Sequence, residues 1–115
     1  MLKGAALKHL TIAKTSFLSQ PEARPDAALA RLRVSLANAA SAIELTDEFQ
    51  MWADAAWQAA KIIADERGKG SPEEQLIARL SADFERFMDN CIKGLQNSPP
   101  SFLARTVGDA NEQAG

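Results

Sequence analysis

The stretch LTDEFQMWADAAWQAAKIIADER, Leu45 to Arg67, decides the fold class. Leu45, Phe49, Trp52, Ala56, Ala59 and Ile63 recur at steps of four and three. A helix turns such residues onto one face, whereas a strand would scatter them over both. The same spacing extends outward from this stretch. Upstream, Leu29, Leu32, Leu36, Ala39 and Ile43 form a second ladder, and downstream Ile77, Leu80, Phe84, Phe87, Cys91 and Leu95 form a third. A fourth stripe, Leu2, Ala6, Leu10, Ala13 and Phe17, is widened by Leu7 and Leu18, with Lys3, Lys8 and Lys14 lying away from it. Successive amphipathic helices hide their dry faces by packing on one another, so the pattern predicts an all-α bundle.

Composition points the same way. The 115 residues include 22 alanines and no Tyr, and β-branched residues are sparse. Alanine is the best helix former because it loses no side-chain entropy. Facing alanines also let helices approach closely, which thins a core unless large residues oppose them. The length suits one domain, able to bury roughly two thirds of its unfolded surface.

The helix boundaries are written in the breaks of the pattern. Extending the second ladder past Ile43 would bury Thr46, Gln50 and Ala53, yet the large residues stand at Leu45, Phe49 and Trp52. That phase skip predicts a break near residues 45–47, with Thr46 or Asp47 capping the new helix. Pro21 and Pro25 mark an earlier turn, Pro25 suiting the first turn of a helix and Asp26 its positive end. Gly68-Lys69-Gly70 follows a helix end, and Ser71-Pro72-Glu73-Glu74 reads as a capping box: serine N-cap, proline first, glutamate third. Gly94 slightly weakens the turn that Asn97-Ser98-Pro99-Pro100 then stops. The expectation is an antiparallel bundle of four main helices near 2–18, 26–44, 47–67 and 72–96. A single domain over 1–104 would end in a short C-terminal turn with Phe102 and Leu103 packed back. Residues 105–115, small and polar, are expected to form a disordered tail.

Charge narrows the function classes. The net charge of −2 creates no global field toward nucleic acid or anionic membrane. Its distribution is uneven: residues 1–33 balance to +4 through Lys3, Lys8, Lys14, Arg24, Arg31 and Arg33 against Glu22 and Asp26. Residues 34–60 carry only Glu44, Asp47, Glu48 and Asp54. No apolar run approaches the ~18 residues of a membrane span, and no uninterrupted signal-like stretch opens the chain. A cytoplasmic protein with no membrane partner is expected.

The motifs of common chemistry are missing. The single Cys91 allows no internal disulfide and no cysteine-rich zinc site, and as a ladder rung it reads as a small buried hydrophobe. The single His9 cannot supply the paired Glu-x-x-His sets of a di-metal bundle. No phosphate loop, nucleophile elbow or zinc-finger spacing is present. Glu44, Asp47 and Glu48 would share a face on a continuous helix, though acids gather at helix starts for the dipole alone. A non-catalytic protein without cofactor or metal is the expectation.

Two surfaces remain as candidates. Trp57 lies off its ladder among Ala53, Ala56, Ala60 and Ala64, so it serves either a doubly buried helix or a contact patch. The patch reading makes Trp57, Ala53, Ala60 and Ala64 an interface for another protein or a second copy of the chain, because an exposed tryptophan is a typical anchor. The alternative is an accessory protein that touches nucleic acid through Lys3, Lys8, Lys14, Arg31 and Arg33. Those cations are spread over two helices with no aromatic interleaving and no recognition helix.

Overall fold

The computed structural model describes residues 2–19 and 25–101. Four helices fill them: α1 (Lys3–Ser19), α2 (Pro25–Ala42), α3 (Asp47–Arg67) and α4 (Glu74–Asn97). No strand occurs among the described residues, which form a helical bundle. The expectations for Pro21, for Phe102 and Leu103, and for the 105–115 tail lie outside the described residues.

The ladders become the core. Ala6, Leu10, Ala13 and Phe17 of α1 are buried, as are Leu32, Leu36 and Ala39 of α2. They meet Phe49, Ala56, Ala59 and Ile63 of α3 and Phe84, Cys91 and Leu95 of α4. Phe17 and Phe84 join α1 to α4 with ring centroids 4.8 Å apart. Trp52 of α3 sits 5.9 Å from Phe87 of α4. α3 packs most extensively on α4, and α1 on α2; the α2/α3 and α1/α4 seams are looser.

Side-chain ties orient the helices. Lys3, at the start of α1, donates to the carbonyls of Gln96 and Ser98 at the end of α4, at 2.8 and 2.7 Å. These are carbonyls that a helix end leaves without intrahelical partners, and a cation also suits the negative pole there. Arg67, at the end of α3, donates to the carbonyl of Phe17 at 3.1 Å. Between α2 and α3, Ile43 bridges Pro100, while Glu44 N–H donates to Pro99 O and Ser101 N–H to Ala42 O. The ends of α2 and α4 and the start of α1 therefore share one pole of the bundle, so neighbouring helices run in opposite directions.

The expected break between α2 and α3 is present. Thr46 is the N-cap, and its hydroxyl accepts from Phe49 N–H at 3.1 Å. The break corrects two readings. Leu45 is not a core rung: it lies in the linker and is 51% exposed, because the restart moves the first inward position to Phe49. Glu44 falls outside α3, so it does not share a helix face with Asp47 and Glu48.

The capping box is also corrected. Ser71 and Pro72 precede the helix, and Glu73 takes the N-cap position without a side-chain cap bond. Its N–H donates instead to Glu66 Oε1 of α3 at 2.9 Å. An ionised carboxylate is a stronger acceptor than a serine hydroxyl, and it also meets the positive pole of α4. Gly94 has a packing reason beyond its cost in propensity. A Cβ there would stand 3.3 Å from Phe49 Cδ2, so the missing side chain seats the ring. No helix among the described residues is long and apolar enough to cross a membrane.

Candidate functional site

The looser α2/α3 seam opens as a groove of about 510 Å³. From α2 it is lined by Leu36, Ala37 and Ala40, and from α3 by Phe49, Ala53 and Trp57, with Leu45 at the linker. The local cause is alanine on both walls. Ala37 and Ala40 lie across from Ala53, and methyl groups alone do not fill the space between two helix backbones. Trp57 is half-buried, packed against the core on one side and open to the groove on the other.

Charged groups border the apolar floor. Arg33 stands on the α2 side, Asp54 and Lys61 on the α3 side, and all three are exposed. Lys61 Nζ lies 5.9 Å from the centroid of the Trp57 ring. Asp54 forms no ion pair among the described residues. The arrangement can bury apolar surface against Trp57 while the rim selects by charge.

The four interface candidates separate in depth. Ala53 lines the groove beside Trp57, whereas Ala60 and Ala64 are buried. Ala60 belongs to the core cluster beneath the groove. Leu36, Ala40 and Phe49 complete the floor, and no one-dimensional pattern marks them out, since two helices contribute them. Charge alone groups Arg33 with the basic residues, yet it faces the groove.

The basic set does not form one surface. Lys14 pairs with Asp89 at 2.7 Å and with Glu85 at 4.0 Å across the α1/α4 seam. Lys3 is taken up by the carbonyl end of α4. Lys8, Arg31 and Arg33 remain exposed, and Arg31 lies with His9 and Val34 in a separate shallow groove between α1 and α2. Fragmentation of this kind is invisible in sequence, where a lysine gives no sign of the acid it will meet.

Two ionisable groups are strongly placed by the fold. Glu66 is buried, and its pKa is held below the usual 4.5 chiefly by the Lys69 hydrogen bond at 2.8 Å. The Glu73 N–H adds to this, and partial desolvation opposes it. No sequence signal marks Glu66, because a glutamate near a helix end is ordinarily solvated. Cys91 is fully buried, and desolvation pushes its thiol up to about 12, which suits the small hydrophobe expected on that rung. Among the described residues, no three His, Cys, Asp or Glu side chains gather where they could hold a metal ion. No known protein family, curated protein or solved structure matches the chain.

Proposed function

We propose that this protein is a non-catalytic protein-binding module that works through the α2/α3 groove, as an adaptor, regulator or inhibitor. One observation carries the reading: Trp57 is held half-open in an apolar groove whose rim bears charges of both signs. Tryptophan supplies a large contact area at little cost in side-chain freedom, and it is enriched among residues that dominate binding energy. A half-buried ring is already oriented, which reduces the ordering cost of docking.

The test is capture from host lysate by the wild-type chain and by Trp57→Glu, with nuclease added to half of each sample. The expected result is a stoichiometric protein, including a differently tagged second copy, that survives nuclease and is lost with Trp57→Glu. Circular dichroism accompanies the assay, because a variant that unfolds places Trp57 in the core and removes the proposal. Equal capture by both chains, or nuclease-sensitive nucleic acid alone, also overturns it. The second of these outcomes would turn attention to Lys8, Arg31 and Arg33.

A further inference from the structure

The rim of the groove carries a charge pattern that is complementary to itself. Asp54 and Lys61 lie seven residues apart on α3, and two helical turns bring them back to the same face, about 10.5 Å apart along the axis. That separation is too long for them to pair within one chain, and Trp57 lies between them. Opposite charges therefore stand three and four residues on either side of the aromatic anchor, each exposed.

We infer that the occupant of this face is a second copy of the chain, with the two α3 helices packed antiparallel about a two-fold axis between Trp57 and Gln58. This rests on the reading of the groove as a protein-binding surface. A two-fold interface is self-complementary: if residue i meets residue j, then j meets i. With the axis between residues 57 and 58, Asp54 of each copy faces Lys61 of the other, and two ion pairs form at once. In the same register Gln50 faces Asp65 of the second copy, an amide donor opposite a carboxylate. A parallel arrangement in equal register would instead set Asp54 against Asp54 and Lys61 against Lys61. Like charges in those positions oppose association, so the rim chooses both the orientation and the register. The Trp57 rings approach each other at the centre, where water exclusion is greatest and the flanking pairs are least screened.

Sedimentation velocity on the full chain tests this through charge exchange. Asp54→Lys alone turns each of the two pairs into facing cations, and Lys61→Asp alone turns each into facing anions. Either variant should therefore be monomeric where the wild-type chain is a dimer. Two attractions become two repulsions, and Kd should rise by about 10- to 100-fold in each single variant. In an equimolar mixture of the two variants, a heterodimer still sets one pair of cations' worth of charge against one pair of anions' worth across the interface, and should recover Kd to within about threefold of the wild-type value. Both positions are exposed, so circular dichroism should be unchanged. A mixture no better than the separate variants overturns the register and the inference with it. A wild-type chain that stays monomeric at every accessible concentration overturns the second copy as occupant. Should that chain still hold another protein through Trp57, the binding reading survives and this inference alone falls.

Discussion

The two flanks of α3 are built from one helix and behave differently. On the α4 flank, the Phe49 ring lies against Gly94, Trp52 stacks near Phe87, and Glu66 accepts the Glu73 N–H at the start of the next helix. On the α2 flank, Ala53 meets Ala37 and Ala40 across a groove, and Trp57 is left half-open. Both flanks follow the same three-four spacing. What separates them is side-chain volume: aromatic rings bridge α3 to α4 and leave a smaller cleft of about 340 Å³ beside Gly94, while methyl groups face one another across the larger α2 groove. The α1/α4 seam is loose too. There the Phe17–Phe84 contact and the Lys14–Asp89 pair span the gap.

The contrast breaks most severely at Phe49. Phe49→Ala empties the seat on Gly94 and should cost about 3–5 kcal/mol, measured as the loss of unfolding free energy in urea. A cost below about 1 kcal/mol would mean that the α4 flank is no better filled than the α2 flank. A middle-sized effect is expected at Glu66. Its pKa is lowered in the folded chain, so the unfolded chain binds more protons as the solution becomes acidic. Its contribution is complete above the ordinary glutamate range and is lost as pH falls from about 4.5 through the lowered value. Glu66→Gln should flatten that part of the stability–pH curve. An unchanged curve would remove Glu66 as the acid-sensitive tie between α3 and α4. The smallest effect on stability belongs to the open flank. Ala53→Leu adds volume where the groove has room, and should shift unfolding free energy by no more than about 0.5 kcal/mol while abolishing binding through Trp57. A large loss of stability there would show that the groove has no space to fill.

Much of this architecture is legible in the order of residues alone. The phase skip after Ile43 locates the break between α2 and α3 because helical period is a local property, and a skip of two residues cannot stay on one face. Thr46 announces itself by chemistry, since its hydroxyl satisfies an N–H only at a helix start. Leu45 misleads for the complementary reason: its spacing matches the ladder, but it precedes the cap and belongs to no helix. The capping box over Ser71 to Glu74 fails because no local pattern shows that a carboxylate several residues earlier, at Glu66, lies closer. Trp57 stands out by leaving its ladder, whereas of the residues that share its groove Leu36 follows its ladder, Ala40 is one alanine among many, and Arg33 counts only as charge.

The sequence by itself determined that the chain forms helices, where they begin and end to within a few residues, and which face of each is dry. These properties depend on neighbours within about four residues, where spacing and capping chemistry act directly. Only the tertiary structure decided which dry faces meet, which lysines are taken up by groups on another helix, and where the seams open into grooves. Those outcomes depend on side-chain volume and charge brought together from distant positions, and no local period encodes them. The groove at Trp57 exists because alanines on two helices face one another, and that meeting is a property of the bundle alone.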